Sequence, residues 1–130
     1  MFLLDTNVCI LAIAGIEPDA SCVRQAIERS AVALSAITVA EFFANSSAAE
    51  AAAFEKLVGA FPALSIDESH ARTAALYRAH SPRRVRIQLL DCLIAAQAKL
   101  YGYTLVTNNV SDFPMRDIVV VTPASAMKRG

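Results

Sequence analysis

The chain has 130 residues, 55% of them apolar and only 18% charged, with 12 basic and 12 acidic side chains that cancel. This composition describes a globular interior and excludes a disordered tail. Zero net charge excludes a bulk electrostatic pull towards nucleic acid or an anionic membrane, although a local basic patch is compatible with it. The length predicts one domain over residues 1–130, long enough to bury roughly two-thirds of the surface its unfolded form exposes.

The chain opens on a short apolar run, residues 2–4, which reads as a strand buried on both faces and ends at Asp5, Thr6 and Asn7. Asp5 interrupts the run and no basic segment precedes it, which argues against a signal peptide. Val8 to Ala14 reads as a buried helix stopped by Gly15. Pro18 opens a second helix, with Cys22, Val23, Ala26 and Ile27 on one face. Residues 31–37 read as a second strand, and Thr38 begins a helix through Glu41, Phe42 and Phe43. A further helix carries Ala51, Phe54, Leu57 and Val58 and closes at Gly59.

Residues 62–66 read as a third strand. Asp67 caps a helix running to about His80, and Ser81 to Gln88 reads as a loop containing Arg83, Arg84 and Arg86. Asp91 opens a helix stopped by Gly102. Residues 103–107 and 118–121 read as the fourth and fifth strands, the last ended by Pro123. Continuously apolar strands alternating with helices predict an α/β protein: a three-layer α/β/α sandwich around a parallel five-stranded sheet. No stretch has the apolar length needed to span a bilayer. Cys9, Cys22 and Cys92 lack zinc-ligand spacing and read as small buried hydrophobes, which fits a reducing cytoplasm.

Asp5 follows the first strand, Glu41 stands one helical turn past the second, and Asp112 lies in the loop after the fourth. With right-handed crossovers, strand carboxyl ends share one rim, where open α/β sheets bind ligands. Asp91 begins a helix that must run back antiparallel to the strands, so it starts at the same edge. Each acid alone reads as readily as a local structural device. Asp5 and Asp91 fit N-caps, Thr38 to Glu41 has the form of a capping box, and Asp112 fits a turn. Jointly they predict a cluster in which some carboxylates stay protonated or a cation neutralises them. Oxygen-only ligands suit Mg²⁺ or Mn²⁺, and such a site supports phosphoryl displacement by a metal-activated water.

The motifs Leu4-Asp5-Thr6-Asn7, Thr38-Val39-Ala40-Glu41, Asp91-Cys92-Leu93-Ile94-Ala95-Ala96 and Leu105 to Phe113 carry a resemblance. In order and spacing the chain resembles PIN-domain ribonucleases, specifically the VapC toxins of bacterial type II toxin–antitoxin pairs. The resemblance implies a PIN-like fold and a cytoplasmic, Mg²⁺-dependent endoribonuclease that leaves 5′-phosphate and 3′-hydroxyl ends, with Mn²⁺ as an alternative ion. It implies Asp5 and Asp91 as main metal ligands, with Glu41 and Asp112 completing the catalytic quartet. Thr6, Asn7, Thr107 and Asn109 would be polar supports, with Asn109 an alternative to Asp112 as the last member of the site. For Thr6 and Thr107, local backbone bonding at strand ends explains the residues equally well.

The implied partners are an RNA substrate, transfer RNA in the family, a cognate antitoxin laid along an apolar groove, and a second copy in a homodimer. Many relatives have a basic residue where this chain has Asn108, and Cys92 replaces the usual alanine. Other readings are a PIN-like housekeeping nuclease without a toxin role and an aspartate-based phosphatase. The phosphatase needs an acid where Asn7 stands, and a phospho-receiver domain needs an acidic pair that the first strand lacks. Arg83, Arg84 and Arg86 could grip an RNA backbone or form a solvated loop face.

Overall fold

The computed structural model describes residues 1–81 and 87–129. Arg83, Arg84 and Arg86, read above as a candidate RNA contact, lie outside the described residues. The sheet contains β1 (Phe2–Leu4), β2 (Val32–Ala33), β3 (Thr104–Val106) and β4 (Val120–Val121), in the order β2-β1-β3-β4. Every pairing is parallel, with Phe2 opposite Val32 and Thr104, and Leu105 opposite Val120. The helices are α1 (Thr6–Ile13), α2 (Asp19–Glu28), α3 (Ala36–Ala44), α4 (Ala48–Ala60), α5 (Glu68–Ala79), α6 (Leu89–Tyr101) and α7 (Pro123–Arg129).

The side-chain alternation of a strand explains the layers. Leu4, Val32 and Val106 pack on one face with Val8, Cys22, Val23 and Phe54 of α1, α2 and α4. Leu3, Ala33 and Leu105 point to the other face, against Ile94, Ala95 and Ala98 of α6. β1 and β3 are therefore covered on both sides, as their unbroken apolar sequences require. Gly102, at φ 73°, closes α6 in the left-handed conformation and turns the chain into β3. Asp67 caps α5 by accepting from Ser69 N and His70 N, in agreement with the sequence reading.

Three expectations need correction. The sheet has four strands, not five. Residues 62–66 make only one bridge, Leu64 to Ser35, with Leu64 N donating to Leu34 O at 2.7 Å. The ladder cannot continue, because Ser35 leaves the strand direction to cap α3. Gln97 Nε2 donates to the Ser65 carbonyl at 3.2 Å and to the Leu64 carbonyl at 3.1 Å, and the latter also accepts from Ala36 N at 3.0 Å. A buried side chain thus takes the carbonyls at this sheet edge.

The second correction concerns the start of α3. Ser35 Oγ accepts from Ile37 N at 3.0 Å, so the helix begins before Thr38 and β2 is shorter than residues 31–37. Thr38 is fully buried inside the first turn and does not cap. Likewise α6 begins at Leu89 behind Gln88, which places Asp91 within the first turn instead of at the cap. Third, Pro123 starts a helix as well as ending the last strand. Thr122 Oγ1 accepts from Ser125 N at 3.2 Å, and a first-turn proline loses no helical bond. Among the described residues no helix is long and apolar enough to cross a membrane.

Candidate active site

β1 ends at Asp5, whose backbone continues the sheet by donating from N to Val106 O at 3.0 Å. Its side chain caps α1, Oδ1 accepting from Thr6 N at 2.9 Å. The other oxygen, Oδ2, accepts from the Thr107 hydroxyl at 2.8 Å. Thr107 follows β3, so this bond ties together the ends of the two central strands. The Thr107 oxygen also accepts from Asn109 N at 3.0 Å. Local backbone bonding and support of Asp5 are thus one arrangement for Thr107. Asn109 enters it through its backbone.

Thr6 links the second acid to the first. Its hydroxyl donates to Glu41 Oε1 at 2.6 Å and stands 3.3 Å from the Thr38 hydroxyl. Glu41 therefore reaches across to α1 and not back to the backbone of Thr38, as a capping box would require. Asp112 lies in a single 3₁₀ turn, Val110–Asp112, in the loop after β3. Asp91 sits half-buried in the first turn of α6.

The electrostatics couple these acids. Burial, then the charges of Asp5, Asp112 and Glu41, push the Asp91 carboxyl up to about 6. Asp5 is also raised, first by its burial. The bonds from Thr107 and Thr6 oppose that shift, and the charges of Glu41 and Asp112 add to it. Among the described residues, the charges acting on these two groups are negative. Yet no three His, Cys, Asp or Glu side chains among the described residues stand as a ready-made metal cage.

Such coupling without a cage fits an ion that keeps several of its waters and takes one or two carboxylates directly, as Mg²⁺ does. The oxygen-only donor set fits the same ion. Cys9 lies behind Asp5, and burial followed by the Asp5 charge pushes its thiol up to about 12. It is a packed thiol and not a ligand. Cys22 and Cys92 are likewise buried and free.

The acid pair also predicts a pH dependence. An unperturbed Asp titrates near 3.8, whereas Asp91 does so at about 6 in the fold. Between these values folding takes up a proton, so stability is lost as pH rises through that window. In chelator, the melting temperature of the wild type falls between pH 5 and pH 7 relative to Asp91→Asn. After discounting for solvent screening the difference is about 1 kcal/mol. Equal pH profiles for the two proteins contradict the coupling.

Three residues here were given no place in the site by the sequence reading. Thr38 adds a buried hydroxyl beside Thr6. Asn108 Nδ2 donates to Asn7 Oδ1 at 3.1 Å and to Asp19 Oδ2 at 2.7 Å. Asp19 had no signal beyond its place after Pro18, because a buried acid at a helix start looks in sequence like an exposed one. Away from the acids, α1, α2 and α4 leave a cleft of about 470 Å³ lined by Ile13, Val23, Ile27, Leu57 and Phe61, with Arg24 and Lys56 beside them.

The fold and the acid rim define a class of protein. The family model for the PIN domain matches residues 2–114, and the chain belongs to that family. Among solved structures, the chain is similar to the DNA-bound VapBC of Salmonella typhimurium, at 29% identity and a TM-score of 0.77. That match covers 94% of this chain and 97% of the other. FitAcB from Neisseria gonorrhoeae is 27% identical, with a TM-score of 0.72 over 95% of this chain and 99% of the other. A toxin–antitoxin complex from Klebsiella pneumoniae is 26% identical, with a TM-score of 0.73 and coverage of 95% and 98%. No match was found among curated proteins.

Proposed function

We propose that this chain is a divalent-metal-dependent endoribonuclease and the toxin of a type II toxin–antitoxin pair. The observation that carries the reading is that Asp5 and Asp91, besides being buried, both feel the charges of Glu41 and Asp112. Carboxylates held together with no opposing cation acting on Asp5 or Asp91 among the described residues need a positive ion or protons. At neutral pH an ion is the more effective of the two.

Asp5 and Asp91 would hold Mg²⁺, or Mn²⁺, with Glu41 and Asp112 acting directly or through water. When bound, the ion neutralises charge on the phosphate and lowers the pKa of a water. The protein supplies the rest. The Thr107 hydroxyl and Thr6 N hold both oxygens of Asp5 in place. The Thr6 hydroxyl anchors Glu41 at one oxygen and leaves the other without a described partner. A carboxylate so placed can take a proton from a water poised to attack phosphorus. Fixing these groups before substrate arrives lowers the reorganisation required in the transition state.

The toxin role rests on the solved relatives, which include VapBC and another toxin–antitoxin complex. The cleft between α1, α2 and α4 supports a protein partner, since an amphipathic helix fits a groove of this kind. RNA as the substrate, transfer RNA among its forms, and a homodimer follow from the family resemblance.

The test is incubation of the purified protein with total RNA in Mg²⁺ or in chelator. Discrete cleavage in Mg²⁺ and none in chelator is expected, and cleavage that survives chelation overturns the mechanism. Growth arrest on expression, relieved by a small neighbouring gene product, separates a toxin from a housekeeping nuclease.

A further inference from the structure

A hydrogen-bond chain beside the acids plays no part in the reading above. Asn108 Nδ2 donates to Asp19 Oδ2 at 2.7 Å and to Asn7 Oδ1 at 3.1 Å. Asp19 begins α2 and is only 2% exposed. Asn7 follows Thr6 on α1, and Asn108 follows Thr107, the residue that grips Asp5. The chain thus starts at a buried carboxylate and ends at an amide next to the two residues that hold Asp5 and Glu41.

An asparagine amide has a donor end and an acceptor end, and its neighbours decide which faces where. Asp19 Oδ2 accepts from Asn108, so the amino end of Asn108 turns inward. The same amino group has a second proton, directed at Asn7, which can be received only by the Asn7 carbonyl. Asn7 in turn has its acceptor end engaged by protein. Among the described residues its amino group, Nδ2, has no acceptor.

We propose that Asp19, acting through Asn108, is a positioning residue that sets the Asn7 amide with its donor end towards the RNA backbone. The proposal rests on the nuclease reading and names a contact within it. Phosphate oxygens accept and do not donate, so they match a group that offers only donors. Paired reading of an adenine edge needs both ends of the amide, and here one end is already used. A donor at this place also has a particular value, because the neighbouring carboxylates repel phosphate until an ion is bound. The orientation is set before substrate arrives, so none of the binding energy is spent on turning the amide.

Two assays test the relay in Asn7→Ala, Asn108→Ala, Asp19→Ala and the doubles that combine Asn7→Ala with each of the others. One is single-turnover cleavage of a single-stranded RNA in Mg²⁺. The other is fluorescence anisotropy of the same RNA in chelator. Asn7→Ala should weaken both by about tenfold, the worth of a hydrogen bond to a charged group. Asn108→Ala and Asp19→Ala should each weaken them by about threefold to tenfold, and should add nothing once Asn7 is alanine. Asp19→Asn keeps an acceptor and should recover most of the loss.

Losses that add in full in the Asn7→Ala background overturn the relay, because a merely structural tie does not pass through Asn7. No loss from Asn108→Ala overturns it as well. Asn108 is exposed, so its variant decides the matter should Asp19→Ala fail to fold. A wild-type protein that never cleaves RNA defeats the nuclease reading, while the anisotropy series still decides the relay.

Discussion

Asp5→Asn is expected to lower RNA cleavage by at least about a thousandfold and to leave the protein folded. The size follows if Asp5 is, as proposed, a direct ligand of an ion that stabilises several kcal/mol of developing charge. The retention of fold follows from the environment of Asp5. Its carboxyl is raised by burial and by Glu41 and Asp112, so neutralising it relieves a cost that the bonds from Thr107 and Thr6 only partly offset. An asparagine can keep the contact from Thr6 N through its carbonyl, and the Thr107 oxygen can accept from its amino group. In chelator, the variant should melt at or above the wild-type temperature. Near-normal cleavage by a folded Asp5→Asn protein would contradict the assignment of Asp5 to the ion.

Phe54→Ala carries the largest expected loss of stability, about 3–5 kcal/mol. Phe54 is fully buried between the sheet and α3. Its ring stacks on Phe42 at 4.1 Å between centroids and meets Phe43 edge-on at 5.2 Å. Truncation removes both aromatic contacts and opens a cavity between α3 and α4 that rigid neighbours cannot fill. The same three rings hold α3 and so fix Glu41 relative to Thr6. Urea denaturation should therefore show the loss at unchanged slope, with cleavage falling as well. A loss below about 1 kcal/mol would mean that α4 is not packed as described.

The sequence made the layers legible because its strands are short, apolar throughout and separated by helices. Leu3 and Leu4, or Leu105 and Val106, have no polar alternation, and this identified a sheet covered on both faces. Gly102 and Asp67 marked helix ends by their own backbone and side-chain chemistry. The strand expected over residues 62–66 misled because Leu64 has the composition of a strand residue, and only the positions of Ser35 and Gln97 end its pairing. Ser35 and Thr38 are both competent caps three residues apart. Pattern alone does not choose between them, and the packing that buries Thr38 does.

Asp5, Glu41 and Asp112 were visible as residues following strands and Asp91 as a helix start, each with an ordinary structural explanation. Asp5 caps α1 with one oxygen and meets Thr107 with the other. Glu41 shows where the local explanation fails, since its carboxylate bonds across 35 positions to Thr6. The chain from Asp19 through Asn108 to Asn7 was invisible, because it joins three segments distant in sequence and leaves no spacing to read. Such contacts come from the crossover topology alone.

The central claim is that Asp5 and Asp91 share one divalent ion at the rim of the sheet. Crystals grown with Mn²⁺ and measured for anomalous scattering test it directly. The account predicts a peak within coordination distance of oxygens from both residues, and its loss in Asp91→Asn. Crystals that bind manganese elsewhere, or leave those two carboxylates without a peak at neutral pH, would contradict it.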